Sequence, residues 1–479
     1  MTSILTVKGY GILKTVISEI QFKELQKELT VMPVVAPQYA AGSSPFTLYL
    51  HSATRWYVPP MWGIAKYGAP ASDTRPEGVS LRSELKFVSI LRPEQLPIAE
   101  AVRKGDYTGI ISVPCGYGKT KCAIAFAVEL GKRFIVVVHK EFLMAQWKEE
   151  LEASVPGIKI GKIQGEKCEI GPDVDCAIAM IQTLCSRTYV SSTFHEFGFS
   201  IFDECHHLGA EHFSKALQQI GTKRRLGLSA TPDRADGLRR VFEWFLGPIL
   251  YQVKRRDADV TVGVRVFRYT TTHEVYGETP LNWKGEVVRA RLLNVIAEDK
   301  ERTQLLCNWL APVVQEPHRQ TLILSDRREH LDDFKANLLT HGITSIGHYV
   351  GGMKQADLNK SALCRVVLGT FAMAAEGMNI PTLNTILLAT PKSNIEQSIG
   401  RVLRQKPEER KCAPLILDVL DVAHICCNGQ LARRRKFYKT CGYQVEIWDQ
   451  GIEPKKKKVE AESDEEEKEE VSTKCLIED

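Results

Sequence analysis

Short apolar, β-branched runs alternate with amphipathic stretches along most of the chain. Thr108 to Val113 reads as a buried strand. Lys121 to Leu130 then places Ala123, Ile124, Ala127 and Leu130 on one helical face, and Gly131 follows as a stop. Phe134 to His139 is almost continuously apolar, as a strand covered on both faces must be. Phe142 to Leu151 is amphipathic and carries Trp147 and Lys148. Further strands are predicted at Cys176 to Ile181, Phe199 to Phe202 and Leu226 to Leu228. Strands alternating with helices imply a parallel, doubly wound sheet, where ligands bind beyond the carboxyl ends of the strands. Three polar clusters each follow such an end: Gln182-Thr183, Asp203-Glu204-Cys205-His206 and Ser229-Ala230-Thr231.

Residues 233–318 hold an amphipathic helix (Leu238 to Leu246), a strand-like run (Val260 to Tyr269) and a helical stretch (Val287 to Leu310). The alternation then resumes, with strands expected at Thr321 to Leu324, Ile343 to Val350, Arg365 to Thr370, Thr385 to Ala389 and Leu415 to Val419. This is a second parallel sheet without a phosphate loop of its own, and two such sheets suggest a cleft between them. Ahead of both, residues 1–80 mix strand-like pieces (Phe46 to Leu50, Arg55 to Val58) with Pro59-Pro60 and glycine turns. The resulting division is an N-terminal module at 1–80, a first domain at 81–256, a connecting segment at 257–318, a second domain at 319–450 and a tail at 451–479. Residues 70–80 read as the connector out of the module. Its aromatics, Tyr49, Trp56, Tyr57 and Trp62, suit either base stacking or a core, and the core is favoured.

Composition changes this picture little. The chain has 479 residues, 44% hydrophobic and 25% charged, the balance of a soluble globular protein. No apolar run is long enough to cross a membrane, so no membrane partner is expected, and Met1-Thr2-Ser3-Ile4 does not open a signal peptide. The 13 cysteines include no CxxC pair, which points to reduced thiols inside a cell. Cys426-Cys427 beside His424 fit core thiols better than a zinc site.

Charge is more informative. Residues 459–479 carry ten acidic and two basic side chains, so the +5 of the whole chain leaves +13 on the residues before them. A basic body suits a polyanion. Arg433-Arg434-Arg435-Lys436 either contacts phosphates or forms a solvated helix face. The acidic run from Glu460 to Glu470 cannot bury itself and is expected to be disordered. Lys455 to Lys458 resemble a nuclear import signal, so a nuclear, viral-factory or virion location joins the intracellular expectation.

The chemistry concentrates at Val113-Pro114-Cys115-Gly116-Tyr117-Gly118-Lys119-Thr120, between the first strand and its helix. Gly116 and Gly118 let the backbone curl, and its N–H groups with the helix N-terminus form an anion cradle. Lys119 would reach the β- and γ-phosphates of ATP, and the Thr120 hydroxyl would ligate Mg²⁺. The usual pattern has Gly or Ala where Val113 stands. Asp203 ends a hydrophobic strand, as a Mg²⁺-holding carboxylate should, and Glu204 beside it could deprotonate the attacking water. Arg92 and Gln95 precede the loop, and the Gln95 amide can pair with an adenine edge. Arg401 and Arg404, three apart on a helix opened by Gln397, could neutralise charge on a γ-phosphoryl group, although alone the stretch reads as a solvated basic face.

Taken together and in order, GYGKT, DECH, SAT and QSIGRVLR resemble motifs I, II, III and VI of superfamily 2 helicases. Leu91 to Gln95 resembles their adenine-reading motif, Val138 to Lys148 motif Ia, Ala179 to Leu184 the following DNA-contacting motif, Leu322 to Asp326 motif IV, and Gly369 to Asn379 motif V. Val113 to Gly116 is similar to the loop of the xeroderma-pigmentosum-B type, and Arg234-Ala235-Asp236 to its Arg-Glu-Asp element with Ala for Glu. HKEFLMAQW, AMAAEGMNIP and the aromatic N-terminal module look like the poxvirus transcript-release-type helicases. The resemblance implies an α/β fold of two tandem RecA-like domains that bind ATP and Mg²⁺ at their interface. Arg92, Gln95, Pro114 to Thr120, Gly377 and Asn379 would bind ATP. Lys119, Asp203, Glu204, Gln397, Arg401 and Arg404 would be catalytic, the two arginines as fingers, with Thr120 and Asp203 on the metal. His206, Ser229, Ala230 and Thr231 would couple hydrolysis to movement. Lys140, Gln182, Thr183, Arg234 and Thr370 would touch nucleic acid. The implied activity is ATP-dependent DNA unwinding or translocation, 3′-to-5′, in viral transcript release or DNA metabolism, with transcription-machinery proteins as partners. Two alternatives stay open: an ATP-clamped, nucleic-acid-binding transcription factor with little turnover, and an RNA helicase.

Overall fold

The computed structural model describes residues 3–32, 45–114, 116–190, 192–205, 210–230, 239–253, 258–376, 378, 380–402, 405 and 407–454. Residues 455–479, which hold the lysine run and the acidic stretch expected to be disordered, lie outside them. The chain divides into two compact units, Met1–Lys254 and Arg255–Asp479.

The first unit is built on an eight-stranded sheet. Its order is Lys167–Cys168, Ile160–Gln164, Cys176–Met180, Phe134–Val138, Phe199–Phe202, Arg224–Ser229, Gly109–Ser112, Ile249–Gln252. All neighbours are parallel except the short Lys167–Cys168 edge, which turns back antiparallel on Ile160–Gln164. The central strands are apolar because helices cover both faces: Phe134–Val138 is buried at every position, and so is Phe199–Phe202. Residue Ser112 pairs with Ser229, and Phe202 pairs with Val137. The loop after Ser112 and the carboxylates after Phe202 therefore leave the same edge of the sheet.

The N-terminal module is a small five-stranded sheet ordered Leu50–His51, Arg55–Val58, Gly9–Leu13, Ile4–Thr6, Ser72–Asp73. Helix Glu19–Leu29 is started by a capping box in which Ser18 and Gln21 satisfy each other's amides. The module shares one hydrophobic core with the large sheet: Leu5, Tyr10, Val58 and Trp62 cluster with Ile110, Phe202, Phe242 and Phe245. Residues 70–80, expected as a connector, are stitched to that sheet. The Val79 amide donates to the Glu196 carbonyl at 2.8 Å, the Arg133 amide to the Val79 carbonyl at 2.9 Å, and the Arg75 guanidinium to the Lys223 carbonyl at 2.9 Å. Trp62 is core, its indole N–H donating to Glu28 at 2.7 Å. Trp56 stacks on Phe22 with ring centroids 4.1 Å apart.

The second unit holds a seven-stranded, all-parallel sheet. Its order is Ile346–Tyr349, Val366–Gly369, Thr321–Leu324, Thr385–Leu388, Leu415–Asp421, Gly263–Tyr269, Gln444–Asp449. Residues 257–318 are not a connector. Gly263–Tyr269 is an internal strand of this sheet, and helices Arg289–Glu298 and Lys300–Gln315 bury Leu292, Ile296, Leu306 and Leu310 in its core. The apolar pattern predicts this strand, but its partners, Leu415–Asp421 and Gln444–Asp449, are far away in sequence.

Candidate nucleotide-binding site

Strand Gly109–Ser112 runs into Val113, which is fully buried, and its amide donates to the Ser229 carbonyl at 3.1 Å. Val113 thus ties the loop's first residue to the neighbouring strand. The chain then turns through Gly116 at φ +87° and Gly118 at φ +79°, left-handed values that a Cβ disfavours. Gly118 caps helix Lys119–Leu130. A Cβ there would lie 2.3 Å from Gln95 Nε2, whereas one at Gly116 would meet nothing within 4 Å. Gly118 is therefore required by close packing and Gly116 by its backbone angle. Cys115 lies outside the described residues.

Arg92 and Gln95 brace this turn from behind. The Gln95 amide donates to the Tyr117 carbonyl at 2.8 Å and accepts from the Arg92 amide at 2.8 Å. The Arg92 guanidinium donates to the Gly116 carbonyl at 3.1 Å and pairs with Glu94 at 3.3 Å. The Lys119 ammonium is buried and donates to the Val113 carbonyl at 3.1 Å. Thr120 lies half-buried in the first helical turn, where backbone amides have no intrahelical acceptor. Under the loop, burial pushes the Cys122 thiol up to about 12, so it packs as an inert apolar group.

Asp203 and Glu204 follow Phe202 and are both buried. The Asp203 carboxylate accepts the Trp147 indole N–H at 2.8 Å and the Glu204 amide at 2.9 Å. Burial first, then the adjacent Glu204 carboxylate, push the Asp203 carboxyl up to about 6, against the opposing pull of the Trp147 hydrogen bond and the Lys119 charge. Glu204 sits at φ +44°, a left-handed angle that costs a non-glycine residue energy and marks functional turns. Trp147 was visible only as an apolar residue of an amphipathic helix. The available signal was that an indole N–H is a pure donor and needs an acceptor when buried.

These residues fit a nucleoside triphosphate with Mg²⁺. The loop supplies amides and an ammonium for phosphates, its glycines allow the left-handed turns that curl it, and a strand-end carboxylate lies close enough to Lys119 to feel its charge. Ser229 is buried with its backbone against the loop, and Ala230 follows it at the strand end. Gln182 is exposed and donates to the His139 carbonyl at 2.8 Å, next to Lys140 at the start of helix Glu141–Ser154. Thr183 is buried, and its hydroxyl accepts the Gly165 amide at 2.9 Å. In the second unit, Thr370 follows strand Val366–Gly369 and its carbonyl accepts the Ala374 amide at 3.0 Å. Gln397 is half-buried in helix Glu396–Val402. Arg401 belongs to that helix, but its side chain lies outside the described residues, as do His206, Thr231, Arg234, Gly377, Asn379 and Arg404.

The basic run near the C-terminus splits in two. Arg434 is buried, bonded to Asp418 at 2.9 Å and to the Lys392 carbonyl at 2.6 Å, so it neither contacts phosphate nor faces solvent. Arg433, Arg435 and Lys436 remain exposed. A second buried pair, Arg302–Asp421, has Nε–Oδ1 at 2.6 Å and Nη2–Oδ2 at 3.1 Å, and the Tyr276 hydroxyl donates to the same carboxylate at 2.6 Å.

A doubly wound sheet with this loop, metal-type carboxylate and adjacent acid defines a phosphate-loop nucleoside triphosphatase. The family described as type III restriction enzyme, res subunit, matches residues 89–234. A protein of Acanthamoeba polyphaga mimivirus, provisionally named an ATP-dependent RNA helicase, is 30% identical over 456 residues, covering 91% of this chain and 85% of its own. An African swine fever virus protein with the same kind of name is 26% identical over 356 residues, 69% of this chain and 67% of its own. Among solved structures, a fragment of an HsdR-type subunit of a type I restriction enzyme from Vibrio vulnificus shares the fold at a TM-score of 0.52 and 17% identity, covering 78% of this chain and 73% of its own. The chain belongs to the superfamily 2 helicases, ATP-hydrolysing enzymes with two RecA-like sheets.

Proposed function

We propose that the chain is an ATP-driven motor that translocates along or unwinds DNA. The loop amides and Lys119 bind the β- and γ-phosphates, and Thr120 with Asp203 holds the metal. Mg²⁺, when bound, neutralises charge on the phosphate oxygens. Glu204 accepts the proton of the attacking water. The observation that carries the reading is the convergence of Lys119, Asp203 and the strained Glu204 on one strand edge, since a nucleotide clamp without turnover needs no base there.

The match of residues 89–234 to a restriction-enzyme subunit supports DNA as the track. The names given to the mimivirus and African swine fever virus relatives favour a second reading, RNA. Their viral origin supports the further proposal of a role in viral transcript release or DNA metabolism. ATP turnover measured alone and with single-stranded DNA, duplex DNA and RNA, each beside Glu204→Gln, decides between them. DNA stimulation of about tenfold or more, abolished in Glu204→Gln with ATP binding intact, is expected. Stimulation by RNA alone would transfer the protein to the second reading. Turnover surviving in Glu204→Gln would remove Glu204 as the base.

A further inference from the structure

Between strand Gly263–Tyr269 and helix Arg289–Glu298 the chain makes a tight hairpin whose tip is Asn282-Trp283-Lys284-Gly285. Trp283 is 89% exposed. Single exposed apolar residues are ordinary on protein surfaces, so exposure by itself assigns nothing. The construction beneath this one is what sets it apart.

The tip is braced by its own side chain. The Gly285 amide donates to the Asn282 carbonyl at 2.9 Å, closing a turn, and Gly285 takes φ +77°. The Asn282 carboxamide oxygen accepts the Lys284 amide at 2.9 Å and the Glu286 amide at 3.0 Å, while its nitrogen donates to the Glu286 carboxylate at 2.8 Å. Two backbone bonds clamp the arms: Asn282 N–H to the Glu286 carbonyl and Val288 N–H to the Pro280 carbonyl, both 2.8 Å. Little backbone entropy remains to be lost when the tip engages a ligand.

Both feet of the hairpin are fastened to the carboxyl edge of the second sheet. On one side the Thr279 hydroxyl pairs with His424 Nδ1 at 2.9 Å, just beyond strand Leu415–Asp421. On the other, Arg327, just beyond strand Thr321–Leu324, donates to the Ala290 carbonyl at 2.8 Å and to the Asn294 side chain at 2.6 Å. That edge also carries Thr370, and it is where sheets of this class bind ligands. The Lys284 ammonium lies 4.9 Å from the Trp283 ring centroid, and Leu281 adds an exposed apolar flank. A flat aromatic face next to a cation matches a nucleobase with its phosphate.

We propose that the braced Asn282–Gly285 hairpin is a nucleic-acid contact in which Trp283 stacks on a base of a single strand and Lys284 meets the adjoining phosphate. This deepens the motor reading above and rests on it. The test uses the full chain, with Trp283→Ala, Trp283→Phe and Lys284→Ala beside wild type, and fluorescein-labelled oligo-dT and oligo-rU as probes. Trp283→Ala should weaken single-strand binding about tenfold or more, with Trp283→Phe recovering most of it. Lys284→Ala should flatten the salt dependence by about one phosphate contact. Basal ATP turnover and melting temperature should stay unchanged, because the ring is 89% exposed and, among the described residues, its recorded contact is the neighbouring Lys284 ammonium rather than the core. An iodouracil-substituted strand should photocrosslink to the hairpin. Wild-type binding that Trp283→Ala leaves intact, or crosslinks that all map elsewhere, would overturn the inference alone. Failure of wild type to bind either probe would overturn the motor reading with it.

Discussion

Gln95 was expected to read adenine, and the structure gives it a prior task. Its side chain is buried, with the nitrogen donating to the Tyr117 carbonyl and the oxygen accepting the Arg92 amide, both at 2.8 Å. One N–H and one lone pair remain for a base. Gln95→Ala removes two buried, neutral hydrogen bonds from the loop's support, each contributing about 0.5–1.5 kcal/mol. If that support is needed to hold the loop in its binding geometry, nucleotide affinity falls by about 1–3 kcal/mol, a factor of roughly 5 to 150. Gln95→Glu is expected to be worse, because it sets a carboxylate oxygen against the Tyr117 carbonyl. The assay is titration of fluorescent ATP and GTP analogues into wild type and both variants, with melting temperature as a control. A brace weakens both purines by a similar factor. A reader of adenine loses ATP affinity selectively, so the ATP-to-GTP ratio collapses toward one. Affinity in Gln95→Ala within about twofold of wild type for both nucleotides would refute the bracing argument.

Asp203 sets a pH limit. Its carboxyl is raised to about 6 in the folded chain, so the carboxylate proposed to hold the metal is fully present well above that pH and is lost below it. Mg²⁺–ATP affinity should be level from pH 7 to 8 and fall about tenfold per unit below 6; a flat calorimetric profile from pH 5 to 8 would count against the assignment. The same sign means that burying this charge opposes folding as pH rises from 4 through 6, and bound Mg²⁺ should offset it in thermal melts. In the second unit, Arg302→Met leaves the buried Asp421 carboxylate, among the described residues, with the Tyr276 hydroxyl as its remaining side-chain donor, at a cost of about 3–5 kcal/mol. Arg302→Met combined with Asp421→Leu should recover most of that loss in urea unfolding, and no recovery would mean that packing rather than charge governs the site.

What could be read from the sequence followed the range of the interactions. Parallel strands such as Phe134–Val138 and Thr321–Leu324 are buried on both faces, so they declare themselves as unbroken apolar runs. The loop from Gly116 to Thr120 is legible because turn, cradle and helix start are consecutive. Pairings between distant residues are not. Nothing local shows that Gly263–Tyr269 lies between Leu415–Asp421 and Gln444–Asp449, and so the segment around it looked like a connector. Arg434 was misread for a related reason: charge dominates its tetrad, but Leu431, Arg434 and Tyr438 fall on one buried helical stripe. Trp147 and Asp203 meet across 56 positions, which no spacing rule anticipates.

The core shared by the N-terminal sheet and the first RecA-like sheet has a consequence for how this protein can be cut and recombined. Tyr10, Val58 and Trp62 lie against the same apolar cluster as Ile110, Phe202 and Phe245, and residues 70–80 are hydrogen-bonded into the neighbouring sheet. No seam therefore exists at residue 80. A fragment beginning there would carry a raw apolar face into water, and a foreign module grafted at that point would have to reproduce the face it replaces. The phosphate loop and the N-terminal sheet belong to one compact unit of this chain, so a cut that keeps both intact falls near residue 254, where the two units divide.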